Sequence, residues 1–222
     1  MIDISDKNKI NEFFTSNGFV KKRNHYFRVV NNRILQCAVY EYNPKLREPY
    51  ACFGMASLYS DLHKDYFTSR GFGFEIYGMR SVKMCHENFE ELAISYMNNV
   101  NDEKSLITAF DELDKKEYGQ LVLNNELRIA PYLICRQYDD AQKVISAILL
   151  QHNDALLSSK NNFVWSDELF NDKKAEQLVQ DAKLYRLSAL LDSCDIVAID
   201  DILKANYSKN LKAARRSNLI EQ

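Results

Sequence analysis

The sequence predicts an α+β protein: an N-terminal helix, an antiparallel sheet of about four strands, and a mainly α-helical C-terminal half. Two observations carry this expectation. The hydrophobic period is helical from Asp6 to Ser16, drops to two residues between His25 and Tyr42, and is helical again from Asn88 onward. Only six glycines and three prolines interrupt 222 residues that include 13 Tyr and 12 Phe, a composition of packed elements rather than of disorder.

Taken in order, Ile10, Phe13 and Phe14 lie at helical spacing, and Asn17-Gly18 supplies a C-terminal stop. His25 to Val30 then alternates, with Phe27 and Val29 on one face and Tyr26 and Arg28 on the other. Asn31-Asn32 tolerate the positive φ of a tight turn, and Ile34 to Tyr42 returns as the second strand of a hairpin. Asn43-Pro44 and Glu48-Pro49 break the chain. Tyr50 to Ser60 reads as a third strand, and Gly71 to Ser81, with its glycines, as a fourth.

From Asn88, the residues Phe89, Leu92, Ala93, Tyr96, Met97 and Val100 form one helical stripe, and Leu106, Ile107, Phe110 and Leu113 form another that ends at Gly119. A long helix is expected within 130–157, with Pro131 in its first turn, where the missing donor costs nothing. Helices are further expected over 172–191, 196–205 and 208–217. The divisions are an α+β sheet domain over 1–100 and a helical region over 101–222, which packs on the sheet as one unit or stands apart. The most linker-like stretch is 158–163.

An opening helix, "GFVKK", the aromatics Tyr26 and Phe27 in a hairpin, and the strand "ILQCAVYEY" together resemble a group of uncharacterised bacterial domains of unknown function. The resemblance spans roughly the first hundred residues. It implies the sheet fold and a bacterial type of protein, and it carries no active site over to this chain.

A formal net charge of -2 leaves no strongly basic footprint over the whole molecule, so an electrostatic partner has to be met by a local patch. The five cysteines (Cys37, Cys52, Cys85, Cys135, Cys194) are odd in number with no C-x-x-C pair, as expected of reduced thiols. The N-terminus is charged from its third residue and no stretch approaches the roughly 18 apolar residues of a membrane span, so a cytoplasmic location away from membranes is expected.

Chemical motifs are absent: there is no phosphate loop, H-E-x-x-H or G-x-S-x-G, and the glycines of "GFGFEIYG" have the wrong spacing for a dinucleotide fingerprint. His25, His63, His86 and His152 show no short-spaced metal-ligand pairing, so neither metal nor cofactor is expected. Glu87, Glu90 and Glu91, like Asp111, Glu112 and Asp114, fall on polar helix faces. An enzyme would have to assemble its site in three dimensions around Cys85, His86 or His63.

The remaining signal is cationic. From Phe13 through Tyr40 there is no acidic residue, whereas Lys21, Lys22, Arg23, Arg28 and Arg33 lie inside that run. With Tyr26 as a stacking platform, they could track phosphates; equally, lysine and arginine protect an edge strand from unwanted pairing. The lack of acids also lets the hairpin meet an acidic surface on another protein, or the acidic Asp102–Glu117 helix of this chain. A second basic cluster comprises Lys204, Lys209, Lys212, Arg215 and Arg216, and cations there also suit a helix C-terminus. Tyr50, Phe53, Tyr59, Tyr66, Phe67, Phe72, Phe74 and Tyr77 crowd one region, as either core or an aromatic binding face.

The leading expectation is a non-catalytic protein-binding module of immunity, antitoxin-like or accessory type. The alternative is nucleic-acid binding through the hairpin 19–33 and the segment 204–216. The binding roles expected of Lys21, Lys22, Arg23, Tyr26, Arg28, Arg33, Lys212, Arg215 and Arg216 depend on whether the two basic segments meet.

Overall fold

The computed structural model describes residues 6–23, 25–43, 48–62, 97–115, 126–162 and 167–220. Helix α1 (Lys7–Ser16) precedes strands β1 (Val20–Lys22), β2 (His25–Val30), β3 (Ile34–Asn43) and β4 (Glu48–Ser57). Then come α2 (Glu103–Lys115), α3 (Glu126–Ile134), α4 (Tyr138–Asn162), α5 (Asp167–Asp192) and α6 (Ile196–Arg216). The strands form an antiparallel meander in the order β1-β2-β3-β4. The α+β expectation holds. The fourth described strand, however, is the short β1, which the sequence reading did not foresee, and the strand expected at 71–81 lies outside the described residues.

Helix α1 begins at Asp6, whose side chain accepts from the Asn8 and Lys9 amides, and ends at Gly18 with φ +80°. The Gly18 amide donates to Thr15 O at 3.1 Å and the Phe19 amide to Phe14 O at 3.0 Å, a Schellman closure. It turns the chain back so that Phe19 packs edge-on against Phe14, with centroids 5.3 Å apart. Arg136, Cys194 and Asn218 take positive φ in the same closure at the ends of α3, α5 and α6.

In the β2–β3 turn, Asn31 and Asn32 adopt φ of 51° and 54°, and the Arg33 amide donates to Val30 O at 2.9 Å. Val30 pairs with Ile34 rather than with Arg33. Arg33 is therefore an extra residue outside the β2–β3 ladder, a placement that matters below.

Both faces of the sheet are covered. Phe14 of α1 stacks on Tyr26 at 4.5 Å, and Met97 and Val100 join the same core. Ala214 and Leu219, at and just beyond the end of α6, belong to that core too, so the C-terminal segment packs with the sheet. A second apolar cluster joins α3, α4, α5 and α6 through Ile129, Leu133, Ile145, Ile148, Leu184, Ile199 and Leu203. Helix α6 runs through both clusters.

Several boundaries differ from the sequence expectation. The long helix expected within 130–157 is two helices, because Arg136 adopts φ 61° and closes α3. Pro131 consequently sits inside α3 rather than in a first turn. The linker expected at 158–163 is helical through Asn162. The helices expected at 196–205 and 208–217 are one, α6. Its middle is clamped to the chain after β4: Asn206 Nδ2 donates to Tyr59 O, and Tyr207 stacks on Tyr59 at 4.6 Å. Asn210, 1% exposed, donates to Leu58 O and Ser60 O, both at 2.8 Å.

Candidate binding surface

Of the expected binding residues, Tyr26 lies in the interior, and Arg28 and Arg33, both partly buried, are engaged by partners within the chain. Tyr26 is 1% exposed beneath Phe14, so it offers no platform for a base. The hairpin's strict in–out alternation fails here because Tyr26 and Phe27 are both buried, each under a different covering layer. Burial, followed by the neighbouring Tyr40, pushes the Tyr26 phenol above its ordinary pKa.

Arg28 is an internal strut. Its Nη1 donates to Asn17 O at 2.7 Å, its Nε and Nη2 to Gln36 Oε1 at 3.1 and 2.7 Å, and Nη2 also to Met97 O at 3.0 Å. Its guanidinium lies 4.6 Å from the Phe19 ring centroid. Gln36, fully buried opposite Arg28 in the ladder, uses its own Nε2 to bond Met97 O and Val100 O. One arginine thus ties the end of α1, the sheet and the segment before α2 together.

Arg33, displaced from the ladder, donates from Nε to Glu103 Oε2 at 2.8 Å. Glu103 is 1% exposed and also accepts from Ser57 Oγ at 3.0 Å. The hydrogen bond to Glu103 raises the Arg33 pKa against the opposing effect of burial. Glu103 belongs to the acidic 102–117 stretch named above as one partner for the basic hairpin; the fold decides that Arg33 and Glu103 are the pair that meets.

Lys22 joins the two basic segments. Its Nζ lies 5.8 Å from the Phe27 ring centroid and donates to Ser217 O, the capping carbonyl of α6, at 2.6 Å. Burial lowers its pKa. Arg215 and Arg216 occupy the last turn of α6 just before that carbonyl, and Lys212 is one turn earlier. The hairpin and the C-terminal segment therefore meet at the β1 edge.

The five other expected residues, Lys21, Arg23, Lys212, Arg215 and Arg216, are exposed. None forms an ion pair among the described residues. Lys204 and Lys209 are different: Lys204 is 3.9 Å from Asp201, and Lys209 donates to Asp61 at 2.6 Å. A helix C-terminus carries about half a negative charge. Lys22, Arg215 and Arg216 bring three formal positive charges to this one. Dipole compensation thus accounts for only part of the local charge, and Lys21 and Arg23 extend it along the exposed edge strand.

The aromatic face expected between Tyr50 and Tyr77 is only partly within view. Tyr59 is packed between Tyr207 and Arg33, whereas Tyr66, Phe67, Phe72, Phe74 and Tyr77 lie outside the described residues. Cys85, His86 and His63, the alternative enzymatic centre, lie outside them as well. Among the described residues, no helix is long and apolar enough to cross a membrane. No protein family, curated protein or solved structure matches the chain.

Proposed function

We propose that this is a non-catalytic, cytoplasmic binding module whose cationic surface, Lys21, Arg23, Lys212, Arg215 and Arg216, engages an acidic surface of another protein. The observation that carries the reading is the Lys22–Ser217 contact, which brings two sequence-distant basic segments to one edge of the sheet. Burial of Tyr26 favours a protein over a nucleic acid, since it removes the stacking group on which single-strand recognition relies. An immunity or accessory role would use charge-steered docking of this kind, in which complementary potentials guide the encounter. Among the described residues, Cys37, Cys135 and Cys194 are free thiols, which suits a reducing compartment.

Nucleic-acid binding is the second reading, supported by the same convergence of charge. Titrating the fluorescently labelled protein with poly-L-glutamate and with duplex DNA at low and moderate salt separates the two. The protein-binding reading expects salt-sensitive association with the acidic polypeptide, lost in Arg215→Glu/Arg216→Glu. Preference for the duplex would transfer the assignment to nucleic acid. Absence of both associations at low salt, or indifference to the charge reversal, overturns the proposed surface.

A further inference from the structure

Helix α6 has two opposite faces. Ile199, Leu203, Asn210 and Ala214 are buried on one of them. On the other, Val197, Asp201, Lys204, Ser208, Lys212 and Arg215 follow at i, i+4, i+7, i+11, i+15 and i+18, the spacing of a single helix face, and each is exposed. Arg216 flanks this stripe at its C-terminal end. Lys209 borders it too but is committed to Asp61.

The stripe is uneven along its length. Val197, 73% exposed, is the most exposed large apolar side chain among the described residues, and it stands in the first turn. Asp201 and Lys204 come next, 3.9 Å apart with side chains 70% and 74% exposed, so water screens their contact and leaves the ammonium open to a partner. Ala205 and Ser208, small and exposed, separate Lys204 from Lys212. At ~1.5 Å of rise per residue, the cations from Lys204 to Arg215 are spread over about 16 Å of the helix axis.

We propose that this stripe docks an acidic α-helix of a partner protein, laid along α6 with one face of carboxylates against Lys204, Lys212, Arg215 and Arg216 and an apolar side chain against Val197. Such a partner presupposes the acidic-protein reading above and gives it a shape, and it brings in Lys204 and Val197, which that reading does not use. Packed helices lie about 8–10 Å apart, and the small side chains of Ala205 and Ser208 leave room for that approach. A nucleic-acid backbone, negative along its whole length, fits the stripe less well, because Asp201 repels it and Val197 meets nothing apolar.

Fluorescence anisotropy of the full-length protein with three labelled probes tests this. The first is an alanine-based helical peptide with all its glutamates on one face and a leucine at one end of that face. The second has the same composition with the glutamates scattered around the helix, and the third is duplex DNA. The one-faced peptide should bind about fivefold more tightly than the scattered one, and Lys204→Glu should remove about that factor. Val197→Ser should weaken the one-faced peptide about threefold and leave association with poly-L-glutamate unchanged. Equal binding of the two peptides, or wild-type binding of the one-faced peptide by both variants, overturns the helical partner; retained association with poly-L-glutamate would then leave the acidic-protein reading standing. Tighter binding of the duplex than of the one-faced peptide overturns the helical partner as well, and loss of every association, poly-L-glutamate included, overturns both.

Discussion

Replacing Arg33 with methionine should destabilise the protein by about 3 kcal/mol, because it strands a buried carboxylate. Methionine retains much of the side chain's apolar length, so the change is mainly electrostatic. Glu103 is 1% exposed, and without Arg33 its remaining hydrogen-bond donor among the described residues is Ser57 Oγ. Removing one member of a buried ion pair costs about 3–5 kcal/mol. The Arg33 side chain is 39% exposed, so solvent screens the pair and the value falls at the lower end.

The reciprocal change should cost less. Glu103→Gln leaves a neutral amide that still accepts from Ser57 Oγ, and the half-exposed guanidinium can turn to water, for a loss of about 1 kcal/mol. The double variant should resemble Glu103→Gln, since no charge remains buried. Urea unfolding followed by far-UV circular dichroism supplies all three values. An Arg33→Met cost below about 0.5 kcal/mol, or below that of Glu103→Gln, would refute the reasoning and return Arg33 to the pool of surface charges.

Three further outcomes are expected. Asn210→Ala should cost about 2–3 kcal/mol in the same unfolding assay, since it removes the side-chain donor to two carbonyls at a buried position. Cys194→Gly should raise stability by about 1 kcal/mol, because Cys194 is exposed and holds φ 55°, a conformation that glycine adopts without a Cβ penalty; an unchanged urea midpoint would contradict this. Burial disfavours the Asp61 carboxylate, but bonds from Lys183 and Lys209 outweigh it and hold its pKa below the ordinary value. Its contribution is thus present above the ordinary aspartate pKa and lost as pH falls through the folded value, so Asp61→Asn should flatten the acid side of a stability–pH profile.

Local structure was legible where one interaction range dominates. Asp6, Asn17 and Gly18 bracket α1 because capping is decided within a few residues, and Asn31-Asn32 mark the hairpin turn for the same reason. The end of α3 was not legible: Arg136 takes a positive φ without being glycine, and its guanidinium is held by Asp200 of α6 at 2.8 Å. The continuity of α6 through Asn206 and Tyr207 rests on contacts to Tyr59, which is distant in sequence.

The sequence alone determined the α+β class, the hairpin and the two basic segments, because periodicity, turn chemistry and charge are read over short windows. Tertiary structure decided what those charges do. Arg28 and Arg33 are drawn inward by carbonyls and a carboxylate from chain segments about 70 residues away. Lys22 meets Ser217, 195 residues later in the chain, and leaves Lys21, Arg23, Arg215 and Arg216 at a shared edge. Burial and ion pairing depend on which distant segments come together, and that is a property of packing rather than of any one stretch of sequence.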